Sequence, residues 1–213
     1  MDGIYKMKNI IEILKKLPID LGQANLRSQT EGKQIALRLV SQVNGKFALD
    51  IGCREGEQSE WLKNRGFNVE AIDIEPKYSL AKKIDVNNGL PYENKSFDLV
   101  WCSEVLEHLR DPQFIVSEIR RVLKENGMLI LTTPNSNFWL YRLLRPLGIA
   151  PKKLQNPTHL HFFSFSDIEK LFSGATIYGY FPYMIIKLTL KSSSAIDLLS
   201  PTFVIKLIKE NKC

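Results

Sequence analysis

Phe47-Ala48-Leu49-Asp50-Ile51-Gly52-Cys53-Arg54-Glu55-Gly56 decides how the rest of this chain is read. Phe47 to Asp50 has the length and apolar content of a short buried strand that ends in a carboxylate. Gly52 and Gly56 bracket a tight turn, and Gln58-Ser59-Glu60-Trp61-Leu62-Lys63 begins a helical pattern. A strand feeding a glycine turn and then a helix is how a doubly wound α/β sheet builds a nucleotide pocket. Glycine lets the backbone approach the ligand, and the helix N-terminus presents free N–H groups.

A dinucleotide fingerprint requires G-x-G-x-x-G. Counted from Gly52, its second and third places hold Arg54 and Glu57, so two of three glycines are absent. Asp50, Glu55 and Glu57 also make a poor setting for a pyrophosphate and a suitable one for a ligand carrying an ammonium and a sulfonium. Asn68 to Ile74 reads as the second strand, and Asp73 ends it 21 residues beyond Gly52. An acidic side chain there can accept both ribose hydroxyls of an adenosine.

Further along, Pro76 is expected to open a short helix, and Lys83-Ile84-Asp85-Val86-Asn87 a third short strand. Phe97 to Cys102 reads as the fourth strand. Asp111-Pro112 starts a helix with Phe114, Ile115, Ile119, Val122 and Leu123 at helical spacing, capped by Gly127. Met128 to Thr132 is a fifth strand closed by Thr133-Pro134-Asn135. Strands alternating with helices at this pitch predict a parallel sheet. Before the first strand, Ile4–Leu17 and Thr30–Val43 carry helical periods and are expected to cover the pocket or an edge of the sheet. Ala175 to Lys191 reads as two strands around Phe181-Pro182, Asp167–Phe172 as a helix capped by Ser166, and Pro201–Lys212 as a short basic amphipathic helix.

Asp50-x-Gly52-x-x-x-Gly56, the Asp73 strand end, the Asp85 strand, Leu90-Pro91 with Phe97-Asp98, Glu104-Val105-Leu106-Glu107-His108 and Thr133-Pro134-Asn135 follow one another in order. This string resembles the class I S-adenosylmethionine-dependent methyltransferases, in their ubiquinone-biosynthesis and glycan-tailoring branch. It extends to about Phe172 through His159-Leu160-His161-Phe162-Phe163-Ser164. The family usually has a further glycine where Arg54 stands. The resemblance implies a Rossmann-like, seven-stranded, mostly parallel sheet with helices on both faces and a C-terminal antiparallel hairpin. It also implies S-adenosyl-L-methionine as cofactor and S-adenosyl-L-homocysteine as product. Cofactor binding then falls to Asp50, Gly52, Cys53, Gly56, Asp73, Ile74, Asp85, Val86, Ser103 and Glu104, with Asp85 near the adenine amino group and Ser103 and Glu104 beside the methionine part.

At 213 residues, 44% hydrophobic and 24% charged, the chain reads as one globular domain: a helical cover (1–45), a cofactor-binding core (46–135), an insertion (136–158) and a closing hairpin with C-terminal helix (159–213). Cys53, Cys102 and Cys213 form no metal or disulfide pattern, and no apolar run reaches about 18 residues, so no signal peptide or membrane span is expected and a cytoplasmic setting is. The net charge of +6 lies entirely in the last third: residues 1–139 hold 19 basic and 19 acidic side chains, residues 140–213 hold 10 and 4.

Methyl transfer from a sulfonium needs alignment of acceptor, methyl carbon and sulfur, and a base only for a poorly acidic hydroxyl or a protonated amine. The three histidines, His108, His159 and His161, are the candidate catalytic residues, with a bracing role for His108 as the alternative. No His–Cys spacing suggests a metal site. Phe138 to Ile149, apolar with interleaved arginines, is either a cap packed on the domain or an entrance for a lipid, glycan-type or other small-molecule acceptor, with peripheral membrane contact. The absence of an appended RNA-binding module argues against nucleic acid. An RNA or protein methyltransferase, or a non-catalytic cofactor-binding protein of the same fold, remains the alternative reading.

Overall fold

The computed structural model describes residues 30–147, 151, 155–182 and 188–210. The expected helix Ile4–Leu17 lies outside them. In chain order the elements are α1 (Glu31–Val40), β1 (Phe47–Ile51), α2 (Glu57–Lys63), β2 (Asn68–Asp73), β3 (Lys82–Lys83), β4 (Phe97–Ser103), α3 (Pro112–Val122), β5 (Leu123–Pro134), α4 (Trp139–Leu144), α5 (Phe165–Leu171), β6 (Thr176–Tyr180), β7 (Thr189–Leu190), α6 (Ser193–Leu199) and β8 (Thr202–Ile208). They form one α/β sheet in the order β3-β2-β1-β4-β5-β8-β6-β7. The first five strands run parallel, and β8 and β6 close it antiparallel, as does the short β6–β7 pair. The sheet is Rossmann-like with eight strands, one more than expected.

Alternation along each strand feeds two cores. Leu49, Ile51, Val100, Cys102, Leu129 and Leu131 face α3, α5 and α6 in one cluster. Ala48, Leu99, Trp101, Met128 and Ile130 face the other way, against Ile35, Ala36, Leu39 and Val40 of α1 and Leu62 of α2. Helix α1 is thus a layer on the sheet. Its first turn is capped by Thr30, whose hydroxyl accepts Lys33 N–H at 3.2 Å.

Five local expectations are corrected. The strand expected over Lys83–Asn87 is only Lys82–Lys83, because Asp85 turns the chain by capping the 3-10 turn Val86–Asn88. Among the described residues of Pro201–Lys212, Thr202–Ile208 forms strand β8 and not a helix, because Phe203, Ile205 and Leu207 pack into one cluster while Val204 packs into the other. A strand buried on both faces gives an unbroken apolar run that periodicity alone does not separate from a helix. No helix opens at Pro76, where residues 74–81 form turns. Helix α5 is capped by Ser164, not Ser166, in a capping box with Asp167. Gly127 lies within β5 near a register shift against β4, not at the end of α3.

Two anchors carry the chain from the sheet to the later segments. Asn135 Nδ2 donates to the Ser200 and Asp197 carbonyls at 2.7 and 2.8 Å, pinning the turn before β8. Ser136 N–H donates to the Phe163 carbonyl at 2.9 Å, drawing residues 155–163 back over the strand ends.

Candidate active site

The parallel strands β1, β2, β4 and β5 end on one side, where an open α/β sheet places its ligand. Asp50, next to last in β1, is 1% exposed, and Ser59 Oγ of α2 donates to its Oδ2 at 2.5 Å. Burial is the main cause that pushes its carboxyl from an ordinary 3.8 up to about 6, against the Ser59 hydrogen bond. Folding therefore binds a proton here, and stability from this group, complete below pH 3.8, is lost as the pH rises through 6. Asp50→Asn without cofactor is expected to remove a fall of about 3 kcal/mol over that window. Urea unfolding of both proteins at several pH values reads this as the difference curve, and parallel curves would mean that Asp50 ionises as it does in the unfolded chain.

The turn after β1 is tied to β2. Gly52 and Cys53 N–H both donate to the Ile72 carbonyl, at 2.9 and 3.2 Å, and Arg54 N–H donates to Asp73 Oδ2 at 3.0 Å. Arg54 adopts φ 43°, between Gly52 at 79° and Gly56 at 82°. The missing glycine is replaced by an arginine in the left-handed region, at a cost of order 1 kcal/mol, and the turn keeps its shape. Asp73 Oδ1 accepts Glu75 N–H at 2.8 Å, so each carboxylate oxygen retains a lone pair for a ribose hydroxyl. Ile74, 56% exposed, stands beside it as an apolar surface for a base.

Asp85 caps the 3-10 turn Val86–Asn88. Its Oδ1 accepts both the backbone and the side-chain N–H of Asn87, at 2.9 and 2.8 Å, and Arg110 lies 3.8 Å from Oδ2. The Asn87 hydrogen bonds first, and Arg110 after them, hold this carboxyl below the usual range. The side chains of Cys53 and Val86 are buried, and burial pushes the Cys53 thiol up to about 12, so both offer backbone rather than reactive groups. At the end of β4, Ser103 Oγ lies 2.8 Å from Thr132 Oγ1, which donates to Glu104 Oε1 at 3.2 Å.

The histidines separate. His161 Nε2 meets the Leu109 carbonyl at 2.9 Å and its ring stacks on Phe163. His108 and His159 stand edge to face with ring centroids 4.7 Å apart. Both lie at Glu107, whose carbonyl accepts the N–H groups of Leu160 and His161, fixing the returning segment there. Glu107 is 1% exposed; its Oε2 accepts Thr133 Oγ1 at 3.0 Å, and its Oε1 lies 3.9 Å from His159 Nε2. Burial pushes the Glu107 carboxyl up to about 7 and His159 down to about 4, so His159 is a neutral imidazole near pH 7. Ligand atoms of Glu107, His108 and His159 lie within 4.8 Å of one another, a donor set that can take a divalent cation. Sequence spacing gave no sign of it, because His159 arrives from a distant segment. Glu107 stood in the quoted motif without a role assigned to it.

A groove of about 990 Å³ opens at the opposite ends of β1 and β2, beside Lys46 and Phe67, away from these strand ends. A second cavity of about 510 Å³ borders His161, Phe162, Phe163, Arg110 and Lys170.

A family profile described as a methyltransferase domain matches residues 28–175, more than half of the chain. The chain belongs to the class I S-adenosylmethionine-dependent methyltransferases. S-adenosyl-L-methionine is accordingly its cofactor, and the Asp50–Gly56 turn with Asp73 fits it. A ubiquinone biosynthesis O-methyltransferase from Idiomarina loihiensis is 30% identical, covering 62% of this chain and 62% of that protein. One from Pseudomonas aeruginosa is 34% identical over 44% of this chain and 46% of that protein. The chain thus spans less than two thirds of the length of these curated relatives. A S-adenosylmethionine-dependent methyltransferase structure from Archaeoglobus fulgidus shares the fold at TM-score 0.59 and 18% identity, covering 84% of this chain and 94% of that one.

Proposed function

We propose that this methyltransferase moves a methyl group from S-adenosyl-L-methionine to an oxygen of a small, hydrophobic or carrier-linked acceptor. The observation that carries the reading is the pairing of two sites on one sheet edge: the Asp50–Gly56 turn with Asp73, and the His108–His159 pair over Glu107. The cofactor supplies an electrophilic methyl carbon on a sulfonium. Asp73 holds the ribose, Asp50 and Glu104 provide negative charge for the ammonium and sulfonium, and Ser103 and Thr132 orient Glu104. His159, neutral near pH 7, takes the acceptor proton, and Glu107, in its ionised form 3.9 Å from Nε2, stabilises the imidazolium formed.

The ubiquinone O-methyltransferase relatives support an acceptor of lipid-like character. The insertion supports it too. Phe138, Leu140 and Tyr141 are buried together, as a packed cap requires, while Leu143 (63%) and Leu160 (58%) stay exposed near the cap and His159. We place the acceptor entrance, and peripheral membrane contact of a cytoplasmic enzyme, on that outer face of Phe138–Ile149, of which 148–150 lie outside the described residues. Arg142 is committed to Asp197 at 3.0 Å and does not serve a headgroup, which among the described residues of the insertion leaves exposed Arg145 for that role. No helix among the described residues is long and apolar enough to cross a membrane.

Methyl-labelled cofactor offered with hydroxylated quinone precursors, glycolipids and RNA tests the reading. Label is expected on a hydrophobic hydroxylated acceptor. Label on RNA alone would overturn it.

A further inference from the structure

The turn that holds the cofactor is clamped by two side chains from other loops. A β-carbon at Gly52 would fall inside the Val105 side chain, and one at Gly56 inside the ring of Tyr78. The two glycines thus make room for protein groups as well as for a ligand. Val105 belongs to the motif after β4, but Tyr78 comes from the turn after β2, where neither the sequence motifs nor the reaction gives it a role.

Tyr78 is attached at both ends. Its backbone N–H and that of Lys77 donate to the Arg54 carbonyl at 2.9 and 3.0 Å, while the Arg54 N–H goes to Asp73. Its hydroxyl donates to the Glu60 carboxylate and accepts from Lys63 Nζ at 2.6 Å, both on α2. Lys63 also stands 5.1 Å from the ring centroid. Asp73, the turn and the first helix after it are therefore locked through one aromatic ring. The lock bears directly on Arg54, which must be kept in a left-handed conformation that its side chain disfavours.

We propose that Tyr78 is a positioning residue that keeps the 52–56 turn in its cofactor-binding shape, so that the ordering cost of the turn is met before the cofactor arrives. The proposal rests on the cofactor reading above. Its consequence is a change in cofactor affinity without a change in the transfer step, because the contacts of Tyr78 are with the 52–56 turn and α2 and not with the histidines.

Calorimetric titration with S-adenosyl-L-homocysteine tests it, alongside KM for the methyl donor and kcat. Tyr78→Ala is expected to weaken binding by about tenfold, raising KM with kcat at saturation nearly unchanged. Tyr78→Phe, which keeps the ring, is expected to recover most of the affinity. Gly56→Ala should cost less in the Tyr78→Ala background than in the wild type, since the colliding ring is gone. Wild-type affinity in a folded Tyr78→Ala protein would overturn the proposal, as would equal costs of Gly56→Ala in both backgrounds. If Tyr78→Ala does not fold, the Phe variant and the Gly56→Ala cost in a Tyr78→Leu background decide in the same way. A wild-type protein that binds no product would overturn the cofactor reading itself, and this proposal with it.

Discussion

Phe203→Ala is expected to lower the free energy of unfolding by about 3–5 kcal/mol, the range for deleting a buried phenylalanine ring. Phe203 is 0% exposed on β8, and its ring meets Phe165 of α5 edge-on at 6.3 Å between centroids. The strand that carries it pairs with β5 from Met128 to Pro134, so it backs Thr132 and Thr133, which hold Glu104 and Glu107. Loss of this ring should therefore reach the site as well as the core. Urea unfolding gives the value, and a change below about 1 kcal/mol would mean that β8 does not close the sheet.

Asp73→Ala is expected to weaken binding of S-adenosyl-L-homocysteine by about 1.5–3 kcal/mol, roughly 10- to 150-fold. Two losses combine. The ribose hydroxyls lose a charged acceptor, and the Arg54 and Glu75 N–H groups lose the oxygens that order the turn. Asp73→Asn should fall between, since the amide oxygen serves one of these donors. Titration calorimetry on the folded variants reads both, and an unchanged affinity would remove Asp73 from the ribose.

What the sequence made legible was local. The strand-turn-helix at Phe47–Lys63 and the acidic end of β2 are each written within a few neighbouring residues, and the structure builds them as read. The capping error at Ser166 was local too, a choice between two serines that only the backbone entry angle resolves. Long-range pairing was not legible. Thr202–Ile208 is apolar on both faces because β5 and β6 flank it and a layer covers each side, and nothing within the segment says so. The meeting of His159 with Glu107 depends on the Phe163–Ser136 hydrogen bond that folds the insertion back, and His161, two residues on, turns instead to the Leu109 carbonyl. Arg54 marks a third kind of gap. A missing glycine reads as a broken motif, yet Asp73 and the Tyr78 turn hold the arginine in the conformation that a glycine would adopt.

The central claim is that the Asp50–Gly56 turn and Asp73 form a pocket for an adenosyl sulfonium and not for a dinucleotide. Side-by-side calorimetric titration of the wild-type chain with S-adenosyl-L-methionine, S-adenosyl-L-homocysteine and NAD tests this most directly. The account predicts saturable binding of the first two at one site per chain and none of NAD. Tight binding of NAD, with no heat from either sulfur compound, would contradict it.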